Sequence, residues 1–126
     1  MSKTAITSPE LSPPVGPFSQ AIEVDGFVYL SGQVGRDPAT GKLTPGGVVA
    51  ETERVFLNAA AVLRAASLSF EDVISVRVFL TRIEDYQAVN AIYARHFSEP
   101  FPARTAIGVA ALPLGACVEM DMIAKA

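Results

Sequence analysis

The stretch that decides the fold spans residues 48–81 and reads VVAETERVFLNAAAVLRAASLSFEDVISVRVFLT. In its first part, apolar or small side chains recur mostly every three or four positions, with charged residues mostly between them. These positions are Val49, Thr52, Phe56, Ala59, Ala60 and Leu63. Such spacing places them on one stripe of a helix with 3.6 residues per turn. We therefore predict a long amphipathic helix over residues 48–66.

The second part of the stretch, residues 73–81, is rich in β-branched residues. Successive side chains of a strand point to opposite faces of the sheet. One face would carry Ile74, Val76, Val78 and Leu80, and the other Ser75, Arg77 and Phe79. This pattern predicts a strand with an apolar face for the core and a more polar face that can line a site.

The flanking sequence predicts further strands and a second helix. Upstream, two alternating runs flank Asp25-Gly26, a pair typical of a two-residue β-hairpin in which Gly accepts a positive φ. These runs cover residues 18–24 and 27–30. Downstream, the periodicity predicts a helix over 83–97, which Pro100 and Pro102 end, and strands over 103–109 and 116–124.

The order ββαβαββ indicates an α+β layer sandwich in one domain, residues 1–126, with two helices on one face of a mixed β-sheet. The other sheet face has no helix to cover it, and the last strand gives it a mixture of apolar and charged side chains. Half of the residues are hydrophobic. A chain this apolar is therefore expected to cover its open sheet face with copies of itself.

Composition excludes several classes of protein. The net charge of −3 and the absence of basic clusters argue against binding to nucleic acid or to an anionic membrane. Cys117 and His96 are the only residues of their types, so no internal disulfide and no thiolate or imidazole metal site is expected. Residues 105–118 form the longest uncharged run, which is too short and too broken to span a membrane. Without an apolar signal segment near Met1, a cytoplasmic location is expected.

Arg104 and Glu119 are the side chains best suited to chemistry. If the last two strands pair around Ala111-Leu112, these two residues face each other. They would then form either a cross-strand ion pair or a small-anion site, and spacing alone does not choose between the two. In an anion site, the planar fork of Arg104 would bind a carboxylate, and Glu119 would orient or deprotonate a water molecule.

Other residues carry weaker signals. Gly32, in Ser31-Gly32-Gln33, would let a ligand approach the backbone, although the sequence alone favours a turn at the end of a strand. His96 is expected to be a packing residue or a helix-end cation, and Cys117 a small buried apolar group. The aromatic residues lie at core spacings and require no cofactor. They are Phe56, Phe79, Tyr86, Tyr93 and Phe97.

Five ordered motifs, spread over nearly the whole chain, together resemble the Rid family of reactive intermediate deaminases, also called YjgF-like proteins. The motifs are Gly16-Pro17-Phe18-Ser19-Gln20-Ala21, Leu30-Ser31-Gly32-Gln33, Asn90-Ala91-Ile92-Tyr93, Phe101-Pro102-Ala103-Arg104, and Leu112-Pro113-Leu114-Gly115-Ala116 through Val118-Glu119. The resemblance implies a chorismate-mutase-like fold assembled as a homotrimer, with ligand sites between subunits. It also implies hydrolysis of 2-imino acids, or their enamine tautomers, to 2-keto acids and ammonia.

The resemblance assigns roles to seven positions. Arg104 matches the arginine that holds the substrate carboxylate, and Glu119 the glutamate associated with the attacking water. Substrate-lining positions match Phe18, Ser31, Gly32, Asn90 and Ala106. Phe18 stands where many deaminases have Tyr, and Ala106 where many members have Cys. The departure at Phe18 bears on substrate preference and rate.

The chemistry of imine hydrolysis agrees with this composition. A protonated C=N group is already electrophilic and water is the second reactant, so neither metal, cofactor nor covalent nucleophile is needed. The resemblance thus implies an imine deaminase acting on 2-iminobutanoate or 2-iminopropanoate. The alternatives are a regulatory or non-catalytic protein that binds small carboxylates and, favoured less because the chain is acidic, a ribonuclease.

Overall fold

The computed structural model describes residues 2–126 and contains one six-stranded sheet and two α-helices. The strands are β1 (Thr4–Ile6), β2 (Ala21–Val24), β3 (Phe27–Val34), β4 (Val73–Leu80), β5 (Ala103–Gly108) and β6 (Val118–Lys125), and the helices are α1 (Val48–Ala65) and α2 (Tyr86–His96). Short 3₁₀ turns span Phe70–Asp72, Ile83–Asp85 and Pro113–Gly115. Neither helix is long and apolar enough to cross a membrane, within residues 2–126.

The β2–β3 hairpin is confirmed. Asp25 and Gly26 have φ values of 58° and 81°, and Val24 pairs with Phe27 on either side of them. Positive φ at both central positions is the requirement of a type I′ turn, whose twist matches that of the strands. The first strand of the pair begins only at Ala21, and the three-residue β1, which the sequence pattern did not predict, pairs with β2 at the sheet edge.

Both predicted helices are present and pack on one face of the sheet. Their buried side chains, among them Phe56 of α1 and Ile92 of α2, form one hydrophobic core with alternate residues of β3, β4 and β6. The second helix starts later than predicted because residues 83–85 form a 3₁₀ turn before it. The α+β layer arrangement is therefore confirmed.

The pairing predicted for the last two strands is wrong. The sheet order is β1-β2-β3-β6-β4-β5, so β6 lies between β3 and β4, and β5 pairs in parallel with β4 at the other edge. The residues between β5 and β6 therefore connect strands that are not neighbours. In its central position β6 forms two antiparallel ladders, which satisfy the backbone groups on both sides of it.

One assignment within β4 also changes. The register of β4 against β6 shifts between Val73 and Ser75, so Ile74 is bulged. Its side chain is 46% exposed, whereas Val73 is buried and takes the core position that the alternation gave to Ile74. A bulge inserts one extra residue into a strand. Side chains on one side of the bulge therefore point to the sheet face opposite to the one that simple alternation predicts.

The face of the sheet opposite the helices is partly apolar. Strand register places Tyr29, Ile123 and Ser75 in one row, and Asp121 beside Arg77 in the next. The Asp121 carboxylate accepts hydrogen bonds from Arg77, with an Nη2–Oδ2 distance of 2.6 Å. This open face therefore combines exposed apolar side chains with a charged pair.

Candidate active site

Arg104 lies on the helix side of the edge strand β5, where it pairs in register with Val76 of β4. Its Nη2 donates a hydrogen bond to Tyr86 Oη at 2.8 Å. The guanidinium carbon lies 4.7 Å from the ring centroid of Tyr93 and 5.3 Å from that of Tyr86. Among residues 2–126, no ion pair includes Arg104. The two rings of α2 thus hold a cation whose other N–H donors suit a carboxylate ligand.

Two further predicted site residues lie on this side of the molecule. Ala106 follows Arg104 by two positions on β5, shares its face, and is half-buried beside Val78. Asn90 lies on α2 one turn after Tyr86, on the same stripe of the helix, and is also half-buried. These residues and Arg104 form the first half-site.

Glu119 lies on the open face, paired with Val34 on one side and Phe79 on the other. Its carboxylate is half-buried, and no ion pair within residues 2–126 includes it. Burial raises the pKa of Glu119, and the negative charge of Asp121 raises it further. A carboxylate with a raised pKa is a better proton acceptor than an ordinary one.

A bulge in β3 places Ser31 and Gly32 next to Glu119. The register shifts between Leu30 and Gln33, so these two residues oppose one residue of β6. Ser31 Oγ donates a hydrogen bond to the Ser19 carbonyl at 2.6 Å, which ties the bulge to the preceding loop. A Cβ atom on Gly32 would collide with the Glu119 carboxylate. The motif therefore forms a bulge within a strand, and the predicted turn at the end of a strand is wrong.

A cavity of about 540 Å³ opens over this bulge. It is lined by Leu114, by residues of the N-terminal segment between Leu11 and Val15, and by four predicted site residues, namely Phe18, Ser31, Gly32 and Glu119. The side chains of Phe18 and Leu114 are 51% and 59% exposed. This cavity is the second half-site. It is large enough for a small acid, and Phe18 gives it an apolar wall.

Arg104 and Glu119 do not face each other, so the expected cross-strand pair is wrong. Arg104 is in register with Val76, and Glu119 with Phe79, which are three positions apart on β4 and point to opposite faces. Because β4 separates their strands, the two residues are also two strand spacings, roughly 10 Å, apart across the sheet. Neither an ion pair nor a shared site forms within one chain.

His96 is a packing residue, as expected, whereas Cys117 is only half-buried and not the buried group that the sequence predicted. The His96 ring stacks on Phe56 with centroids 4.2 Å apart, and burial lowers its pKa. Burial raises the pKa of the half-buried Cys117 thiol, which disfavours the nucleophilic thiolate. Within residues 2–126, no group of three or more His, Cys, Asp or Glu side chains is placed to hold a metal ion.

The contribution of Tyr86 and Tyr93 to the site was missed by sequence reasoning, which assigned both to the core. Tyr93 is buried, but Tyr86 is 36% exposed and contacts Arg104 directly. The available signal was their separation of seven residues, two helical turns, on the stripe that also carries Asn90. That spacing shows that the residues share one face of α2, but it does not show which strand this face packs against.

Comparison with known proteins agrees with this architecture. The family model described as Endoribonuclease L-PSP matches residues 9–126. A 2-iminobutanoate/2-iminopropanoate deaminase from Capra hircus is 48% identical over 110 residues, which cover 87% of this chain and 80% of that protein. YyfA of Yersinia pestis, from the conserved Rid protein family, is 37% identical with a TM-score of 0.95, over 99% of this chain and 100% of that one. RidA from an Antarctic Psychrobacter species is 41% identical with a TM-score of 0.93, over 98% and 99% of the two chains. The chain therefore belongs to the Endoribonuclease L-PSP family, which is the Rid family that its motifs resemble.

Proposed function

We propose that the protein hydrolyses 2-imino acids, and their enamine tautomers, to 2-keto acids and ammonia. The observation that carries this proposal is a guanidinium held on two tyrosine rings, with no acidic partner among residues 2–126, in a chain 48% identical to a named imine deaminase. Arginine held in this way binds a small carboxylate with two hydrogen bonds. A glutamate with a raised pKa supplies the proton acceptor.

The reaction requires one proton acceptor and one water molecule. Arg104 binds the substrate carboxylate, and the Glu119 carboxylate takes a proton from water as the water oxygen attacks C2 of the iminium group. Glu119 then returns the proton to nitrogen, the C–N bond breaks, and ammonia leaves. The C2 hydroxyl loses its proton to give the keto group, and the released ammonia is protonated. Ser31, Gly32, Asn90, Ala106 and Phe18 line the site around the ligand in this proposal.

The two half-sites require a second copy of the chain. Arg104 and Glu119 point away from opposite faces of one sheet, so one ligand contacts both only where two subunits meet. The partly apolar open face, with Tyr29 46% exposed and Ile107 45% exposed, is suited to such contact. We propose a homotrimer with intersubunit sites, in the cytoplasm, with no nucleic-acid or membrane partner.

The decisive test is imine turnover. An amino-acid oxidase with catalase generates 2-iminobutanoate from 2-aminobutanoate, and ammonia release is followed with and without the protein. We expect the wild type to accelerate hydrolysis and Arg104→Lys to lose about tenfold or more in kcat/KM while remaining folded, since a point charge cannot make the two-pronged contact. Glu119→Gln should lose more in kcat than in affinity for 2-oxobutanoate.

The same experiment separates the other functions. Tight binding of 2-oxobutanoate without any acceleration would support a non-catalytic carboxylate-binding or regulatory protein and refute the enzyme. Cleavage of a single-stranded RNA probe that survives Arg104→Lys would support the ribonuclease. An Arg104→Lys variant as fast as the wild type would remove Arg104 from the site.

A further inference from the structure

We infer that Tyr86 is a second carboxylate-binding residue, whose hydroxyl donates a hydrogen bond to the same carboxylate that Arg104 binds. This inference rests on the proposed function for the identity of the ligand. The sequence assigns Tyr86 to the core, and only the contacts of its hydroxyl indicate otherwise.

The Tyr86 hydroxyl has an unused donor. Its oxygen accepts the hydrogen bond from Arg104 Nη2 at 2.8 Å, so its own proton must point to another acceptor. No hydrogen bond in which Tyr86 donates is present within residues 2–126. Because the side chain is 36% exposed, this O–H group lies at the surface of the first half-site and not in the core.

A carboxylate on Arg104 is the acceptor that the geometry favours. A carboxylate oxygen bound to the guanidinium lies about 2.7 to 2.9 Å from its nitrogen, as the Tyr86 oxygen does, so the two oxygens flank the same group. An O–H donor beside an anionic oxygen forms a charge-assisted hydrogen bond, which is stronger than one between neutral groups. Tyr86 thus adds a donor that is selective for negative charge.

Tyr93 shows by contrast which property of Tyr86 matters. Both rings contact the Arg104 guanidinium, and Tyr93 is the closer of the two. The Tyr93 hydroxyl is buried and has no hydrogen-bond partner within residues 2–126, so only its ring serves Arg104. Tyr86 instead contributes its ring and an outward hydroxyl. Removing that hydroxyl alone leaves both aromatic supports in place.

The test uses Tyr86→Phe, which removes the hydroxyl and keeps the ring on Arg104. Binding of 2-oxobutanoate and of its neutral analogue 2-oxobutanamide is measured by titration calorimetry. We expect Tyr86→Phe to weaken 2-oxobutanoate binding by about five- to tenfold, with 2-oxobutanamide binding changed much less. In imine turnover, KM should rise and kcat should change little.

A second pair of variants separates direct contact from support of Arg104. Adding Tyr86→Phe to Arg104→Lys should weaken 2-oxobutanoate binding further, since the hydroxyl still reaches the carboxylate. No further loss in that background would overturn the inference, as would equal losses for the acid and the amide. Wild-type binding without turnover would refute the proposed enzyme but leave this inference intact.

Discussion

The Glu119 carboxylate occupies the space that a side chain at residue 32 would need. An added Cβ at residue 32 would overlap the Glu119 carboxyl group, and no main-chain atom stands in its way. Because the conflict is with the far end of a side chain, the fold can accommodate a methyl group by turning Glu119 away. The substitution should therefore displace the Glu119 carboxylate, the proposed proton acceptor, and leave the free energy of unfolding nearly unchanged.

We expect Gly32→Ala to lower kcat of imine hydrolysis about as much as Glu119→Gln does, with little change in the urea midpoint of unfolding. If residue 32 acts through Glu119, adding Gly32→Ala to Glu119→Gln should cost almost nothing more in kcat. An equal loss in both backgrounds would contradict this and point to a direct contact between Gly32 and the ligand.

The raised pKa of Glu119 predicts the pH dependence of the reaction. Glu119 must be ionised to accept a proton, so kcat should fall as the pH falls through its pKa. Because burial and then Asp121 raise that pKa, the midpoint of the fall should lie above 4.5, the ordinary value for glutamate. Ammonia release over a pH series, corrected for uncatalysed hydrolysis at each pH, measures it.

Asp121→Asn distinguishes the titration of Glu119 from the titration of the imine substrate. The substitution removes the negative charge that raises the pKa of Glu119 and leaves the nearby Arg77 cation without its partner. Both changes favour the ionised form of Glu119, so the midpoint should move to lower pH while the imine itself titrates as before. An unmoved midpoint would mean that another group controls the acid side of the profile.

At the scale of elements, local patterns predicted most strands and helices, but not their neighbours. The Asp25-Gly26 turn and the stripe around Phe56 are short-range signals. The turn is confirmed, and so is the stripe except at Val49, which is 48% exposed. The pairing of β5 with β6 was wrong because alternation shows that a segment is a strand, without showing which strand lies beside it. The bulges at Ile74 and at Ser31-Gly32 were also missed, because a bulge changes the register of two distant segments at once.

One close approach fixes α1 against the sheet. Gly35, just after β3, lies so near the first turn of α1 that a Cβ would be 2.7 Å from Glu51 Cα and 2.8 Å from its carbonyl oxygen. The buried Glu51 carboxylate accepts a hydrogen bond from the Cys117 backbone N–H at 2.7 Å, immediately before β6. The first turn of α1 therefore contacts the residues that follow β3 and precede β6, the two strands that line the cavity.

We expect Gly35→Ala to destabilise the protein by about 1 to 3 kcal/mol, because main chain must move to admit the methyl group. Gly108→Ala is the matched control, since its Cβ would meet atoms only at 3.8 Å and beyond, an ordinary contact distance. Urea unfolding of the two variants measures the difference. A Gly35→Ala midpoint equal to that of Gly108→Ala would show that α1 can shift without cost.

For the molecule as a whole, the sequence singled out the two charged residues of the proposed site but did not predict their arrangement. Arg104 and Glu119 stood out as a carboxylate-binding group and a proton acceptor, and the motif resemblance gave them roles. Their positions on opposite faces depend on where β4 lies, and no spacing in the sequence encodes that. In the proposed trimer, a complete site therefore takes Arg104 from one chain and Glu119 from its neighbour.

This division predicts complementation between two inactive variants. In a trimer that mixes Arg104→Lys chains with Glu119→Gln chains, some interfaces join the intact Arg104 of one chain to the intact Glu119 of its neighbour. A trimer that contains both variants has one such interface out of three. Isolated mixed trimers should therefore recover about one third of the wild-type activity, and an unsorted mixture of equal amounts about one quarter. Each variant alone has no such interface and should stay at its own low rate.

Co-expression of the two variants, with different affinity tags to isolate mixed assemblies, provides the material. Light scattering should give three times the mass of one chain for the wild type and for the mixture. A monomeric wild type would refute the trimer and the intersubunit site together. A mixed trimer without recovered activity would refute the shared site alone, because Arg104 and Glu119 would then not act on one ligand across an interface.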